Sequence, residues 1–162
     1  MNLINDLLQE MICYYTGDAK RIQHFIKVHS FSKLIGELEH LDSDTLMILE
    51  LASIVHDIGI KPAEEKYGSC NGKLQEQEGP SAARELLQKL HVNETAIERI
   101  CYLVGHHHTY DKIDGADYQI LVEADFLVNL YEDGADTKAA ASAYEKIFKT
   151  ETGKQLCKTM FL

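Results

Sequence analysis

A chain of 162 residues, with 26 Asp and Glu against 16 Lys and Arg and a formal net charge of −10, is the size of one ordinary domain around a single core. That charge argues against a general nucleic-acid or anionic-membrane binder, since both need a field of Lys and Arg; an anionic substrate would need a local positive site, most simply a bound cation. The four cysteines, Cys13, Cys70, Cys101 and Cys157, have no C-x-x-C spacing, which argues against a zinc knuckle or thioredoxin-type pair and for reduced thiols in a cytoplasm, and no apolar run approaches the ~18 residues of a spanning helix.

The opening "MNLINDLLQEMICYY" carries Asp6 and Glu10 among its apolar residues and does not read as a signal peptide. Leu3, Leu7, Leu8, Met11 and Tyr15 instead predict an amphipathic first helix, stopped at Gly17. Asp18 caps a second helix to about Glu39, and Ser43 or Asp44 caps a third from Thr45 to about Asp57. Residues 58–78 read as one long irregular connection, and a fourth helix begins near Pro80, a residue suited to a first helical turn, and runs to Leu90. Asn93 caps a fifth through "ETAIERICYLVGHHH", Asp117 a sixth that Gly134 ends, and a seventh spans roughly Thr137–Phe148, with a short turn after Gly153. No stretch alternates with a period of two long enough to make a strand. The expectation is one all-α domain over residues 1–162, its last long helix a packing element.

The stretch "LASIVHDIGI" raises a chemical question, because an almost wholly apolar run ends in His56-Asp57, a pair costly to bury without partners. The second helix supplies one. Its stripe Val28, Phe31, Ile35 and Leu38, extended backwards at the same 3–4 spacing, lands on His24, while His29 falls off it. The sixth helix supplies another: Asp125 lies among Ile120, Leu121, Leu127 and Val128, and a buried Asp needs a cationic neighbour. Two imidazoles and two carboxylates on three converging helices form a set that one divalent transition metal, Mn, Fe, Co, Ni or Zn, would neutralise. On the fifth helix, steps of seven and three residues from the core positions Ile100 and Val104 reach His107, with His108 adjacent and His106 turned away. His107 and His108 stand as candidates for a second metal or for substrate phosphate, against the plainer reading of histidines at a helix C-terminus.

The ordered set His24, His56-Asp57, Asp125, each on a helix, resembles the H…HD…D signature of the HD-domain superfamily of metal-dependent phosphohydrolases. "HFIKV", "LASIVHDIG", "EGPSAARELL" and "ILVEADFLVN" resemble the family's successive segments, and the match covers about residues 18–132. The resemblance implies that His24, His56, Asp57 and Asp125 bind one metal and that its water attacks a phosphate ester, with Asp57 also catalytic. Dinuclear branches of the family have a further His where this chain has Gln75, so one ion is expected and two remain open; Glu76 or Glu78 is the candidate to swing in. Ile60 stands where other branches place Glu or Lys, and Lys61 and Arg84 are the expected substrate-binding cations.

The resemblance thus implies a hydrolase acting on a phosphate mono- or diester of a nucleotide or small phosphorylated metabolite, without a nucleic-acid polymer or membrane as partner. Two alternatives stand beside it: a di-iron oxygenase-type HD protein and a catalytically inactive nucleotide-binding sensor.

Overall fold

An apolar run with no polar face needs neighbours on every side, and residues 49–55 have them: all seven are buried, including Glu50 and Ser53. They end the central helix of the fold. The structure, a computed structural model, describes residues 2–162, and among these there are nine helices and no strand. They are α1 (Leu3–Tyr14), α2 (Ala19–Leu38), α3 (Ser43–Val55), α4 (Ile60–Tyr67), α5 (Gly72–Lys89), α6 (Glu94–Val104), α7 (Ala116–Glu132), α8 (Thr137–Lys146) and α9 (Glu151–Phe161). Helices α2, α3 and α7 pack on one another, α6 joins them through α3 and carries α5 on its far side, and α4 lies on α5. Helix α1 rests on α3 through Leu7, Met11 and Tyr15, and α8 and α9 close the other end. The all-α architecture expected from the periodicity is the one observed.

Several boundaries differ from expectation, each for a local reason. Asp42, rather than Ser43 or Asp44, caps α3, accepting the N–H groups of Asp44 and Thr45. Asp117 is not the cap of α7; it sits in the first turn, where the Arg99 guanidinium holds it at 2.7 and 2.8 Å. The second stripe runs through His24, Phe25, Val28, Ser32 and Ile35, and Leu38 falls off it, 55% exposed.

The connection at 58–78 is mostly helical: α4 fills Ile60–Tyr67, with Pro62 in the first turn, where a missing N–H costs little. Helix α5 starts at Gly72 under an Asn71 cap and carries Pro80 in its interior. The short turn expected after Gly153 is instead the eleven-residue α9, anchored from below by the buried Glu123 carboxylate, which accepts the Lys149 and Thr150 N–H groups at 2.5 and 2.9 Å.

Candidate metal centre

The ends and faces of four helices meet where α3 gives way to α4. His24 projects from the buried face of α2, His56 caps the C-terminus of α3 with Asp57 next to it, and Asp125 projects from α7. His56 is fully buried, and His24 and Asp125 are 7% and 3% exposed. The structure brings all four together. His24 Nε2 lies 3.2 Å from Asp57 Oδ2, from Asp125 Oδ1 and from His56 Nε2. His56 Nε2 is 3.4 Å from the same Asp57 oxygen and 3.5 Å from the same Asp125 oxygen.

The other ring nitrogens decide what these contacts are. His56 Nδ1 donates to the Ser53 carbonyl at 2.7 Å, and His24 Nδ1 to Glu132 Oε2 at 3.1 Å, a carboxylate that Lys27 steadies at 2.8 Å. In the neutral rings both Nε2 atoms therefore carry lone pairs, and they face each other and two carboxylate oxygens. Four electron donors so arranged repel one another unless a cation lies among them. Donor atoms about 2.0–2.2 Å from one centre sit about 3–3.5 Å apart around tetrahedral or octahedral positions, the spacing seen here. An Nδ1 bound to a carboxylate or backbone carbonyl is also how ligating imidazoles are oriented. His24, His56 and Asp57 form a group that could hold a metal ion, with Asp125 against it.

Protons would take the cation's part in its place. Burial opposes charge on His24, but the Asp125 and Asp57 carboxylates outweigh it and push its pKa up to about 9. Burial also opposes charge on His56, and Asp57 and Asp125 raise it well above the usual range. The carboxyls respond in kind: burial disfavours their charge, yet His56 and His107 hold Asp57, and His24 and His56 hold Asp125, well below the ordinary range.

His107 joins the same cluster. Its Nδ1 donates to the Val104 carbonyl at 2.9 Å, and its Nε2 points at Asp57 Oδ1, 3.4 Å away, buried and with no hydrogen-bond partner. A sealed polar atom without a partner is rare and calls for an absent one. His108 lies against it, ring centroids 4.0 Å apart, and Asp57, His107 and His108 form a second group whose ligand atoms fall within 4.8 Å of one another. Burial, reinforced by His107, lowers the His108 pKa to about 4, which keeps that ring neutral. Asp57 thus turns one oxygen to each group. His106 is turned away, stacked on Tyr102.

Gln75 Oε1 accepts from His108 Nε2 at 2.9 Å while its amide donates to the Cys70 carbonyl, so Gln75 leaves His108 Nδ1 as the free lone pair. Glu76 accepts the His108 N–H and the Thr109 hydroxyl, and Glu78 pairs with Lys66 and Tyr67; neither swings into the cluster. Lys61 donates to the Tyr14 carbonyl and Arg84 pairs with Glu94, so the expected substrate cations do not line the site.

The cluster opens into a cavity of about 490 Å³, whose walls carry Lys20 and Arg21 at the start of α2, Arg21 in a two-pronged pair with Glu64 at 2.5 and 3.1 Å. Sequence reasoning missed these two, and Asn129, which donates to Asp125 at 3.0 Å, and Glu132. A signal for the last pair exists: Asp125, Asn129 and Glu132 are spaced i, i+4, i+7, a polar stripe along one face of the helix.

No helix among the described residues is long and apolar enough to cross a membrane. No protein-family model matches the chain, and neither does any curated protein. The chain is similar to the crystal structure of a predicted HD superfamily hydrolase from an uncultured Thermotogales bacterium, with a TM-score of 0.65, 23% identity, and coverage of 97% of this chain and 82% of the other. The chain shares the fold of that structure, and its helices bring His24, His56, Asp57 and Asp125 to one point.

Proposed function

We propose that the protein is a metal-dependent phosphohydrolase that cleaves a phosphate mono- or diester of a nucleotide or small phosphorylated metabolite. The observation that carries this reading is the cluster of facing donors: two Nε2 lone pairs 3.2 Å apart, each 3.2–3.5 Å from the same two carboxylate oxygens, where the cavity meets the helices. His24, His56, Asp57 and Asp125 are the ligands of the first ion. Asp57, His107 and His108 would hold a second, Asp57 offering one oxygen to each group. Gln75 weighed against a second ion as long as it had to ligate; as the partner that orients His108 it favours one.

When bound, a divalent ion supplies an activated water and positive charge for phosphoryl oxygens. The chain's own residues do the rest. Glu132 and the Ser53 carbonyl hold the rings of His24 and His56, Asn129 holds Asp125, and Lys20 and Arg21 face an anion in the cavity mouth. The reduced thiols and acidic surface fit a cytoplasmic enzyme without a nucleic-acid polymer as partner.

The test is hydrolysis of p-nitrophenyl phosphate and bis(p-nitrophenyl) phosphate by protein loaded with Mn²⁺ or Co²⁺. Turnover that a chelator and Asp57→Ala both abolish is the expected result. A metal-loaded protein that hydrolyses neither these nor a panel of nucleotides overturns the phosphohydrolase reading; oxygen consumption would then favour the di-iron oxygenase, and nucleotide binding alone the sensor.

A further inference from the structure

Asp57 lies in a short turn where the backbone has left α3 and has not yet joined α4. Carbonyls at such a point lack helical partners. The Asp57 carbonyl accepts the Ile60 N–H at 3.0 Å and also, at 2.7 Å, the hydroxyl of Tyr15. The next carbonyl, of Ile58, accepts the hydroxyl of Tyr14 at 3.2 Å. Both tyrosines come from the C-terminal end of α1, outside the segment 18–132 that carries the resemblance.

The support is braced on every side. Tyr15 is 4% exposed and meets the Tyr14 ring edge-on, centroids 4.9 Å apart. Lys61 lies 4.9 Å over the Tyr14 ring and donates to its carbonyl. Across the turn, Gly59 is pressed against α5 so closely that a Cβ there would stand 2.5 Å from the Gln75 carbonyl oxygen and 2.7 Å from Gly79 N. Helix α1 and helix α5 therefore both hold the turn.

The grip matters because Asp57 alone serves both donor groups, one carboxylate oxygen to each. A small rotation of its peptide would swing both oxygens together and spoil two coordination sets. We propose that Tyr15 is a positioning residue of the metal centre: its hydroxyl fixes the Asp57 peptide so that the carboxylate spans both ion positions, with Tyr14 setting the peptide that follows. The inference rests on the reading of this cluster as a metal centre.

The test is Co²⁺ titration of the full chain, as wild type, Tyr15→Phe and Phe148→Leu, with affinity read by chelator competition and geometry by the visible ligand-field spectrum. Phe148 is fully buried and does not line the cavity, so its variant controls for lost stability alone. Tyr15→Phe keeps the ring and deletes the hydroxyl. Partners of ligands typically contribute about 10–100-fold in metal affinity, so a loss of that size with an altered spectrum is expected for Tyr15→Phe, and a lower melting temperature with an unaltered spectrum for Phe148→Leu. Wild-type affinity and spectrum in Tyr15→Phe overturn the inference. A wild-type protein that takes up no Co²⁺ overturns the metal reading itself, which is a distinct result. Should Tyr15→Phe not fold, Tyr14→Phe reads the neighbouring peptide: a smaller shift in the same direction supports the clamp, and no shift overturns it.

Discussion

An imidazole sealed from solvent with Nδ1 committed to a backbone carbonyl has one nitrogen left, and in His56 and His107 that nitrogen faces Asp57. Removing Asp57 therefore touches both groups at once. Asp57→Ala should leave a folded protein that binds neither ion, with activity down about 10³-fold, the order expected when several kcal/mol of charge stabilisation is lost; elemental analysis beside turnover checks both. His107→Ala should lose one ion of two and keep the other, since it leaves all four donors of the first group in place and removes only the ring edge that packs on His56. Unchanged metal content in that variant would reduce the centre to a single ion. These residues were legible because each interrupts an apolar pattern: His24 in line with Val28 and Ile35, Asp125 in line with Leu121, His107 a turn beyond Val104. Tyr15 was not legible as part of the site, because its ring continues the apolar stripe of α1 and only its hydroxyl serves the turn.

At the scale of elements, the fold was readable where periodicity is strong and unreadable where prolines interrupt it. Pro62 and Pro80 suggested a loop and a helix start, yet Pro62 falls in the first turn of α4 and Pro80 in the middle of α5. An interior Pro costs about 3 kcal/mol, and tertiary packing offsets it here. Gly79 beside it lets Val104 approach to where a Cβ would be only 2.6 Å away, and the Pro80 carbonyl accepts from the Cys101 thiol. Helix ends tell a similar story. His40, His91 and Gly134 all close helices in the left-handed region, each followed by an N–H that reaches back to the carbonyl five residues earlier: Leu41 to Gly36, Val92 to Leu87, Ala135 to Leu130. Only one of the three is glycine. The left-handed conformation costs a side-chain-bearing residue about 1–2 kcal/mol, and glycine's larger unfolded-state entropy returns part of that. His40→Gly and His91→Gly should each stabilise the fold by about 0.5–1 kcal/mol, read as a raised denaturant midpoint at constant slope.

The molecule as a whole carries ten more negative than positive charges, and the cavity concentrates the problem: Asp18, Asp57, Asp125, Glu132 and Asp133 face it against Lys20 and Arg21. With neutral imidazoles that wall is three charges negative, and two divalent ions would make it one charge positive, which is how an acidic protein can accept an anion. The same balance links metal, protons and stability. Without metal, His24 has a folded pKa of about 9 against 6.5 for the free side chain, so its contribution to stability is fully present below about pH 6.5 and is lost as pH rises towards 9. A bound metal needs that imidazole neutral, so metal affinity rises over the same interval. The two curves must therefore separate. Metal-free protein should lose thermal stability between about pH 6.5 and 9, and the increment from added Mn²⁺ should grow across that window. At about 100 times the dissociation constant, one ion contributes about 2.7 kcal/mol, or about 5–10 °C for a chain of this length. Thermal scans with and without chelator at several pH values measure it, and an increment that is flat or falls with pH would remove His24 from the ligand set. His24→Ala should weaken both trends and leave the part that His56 contributes, since Asp57 and Asp125 raise that imidazole as well.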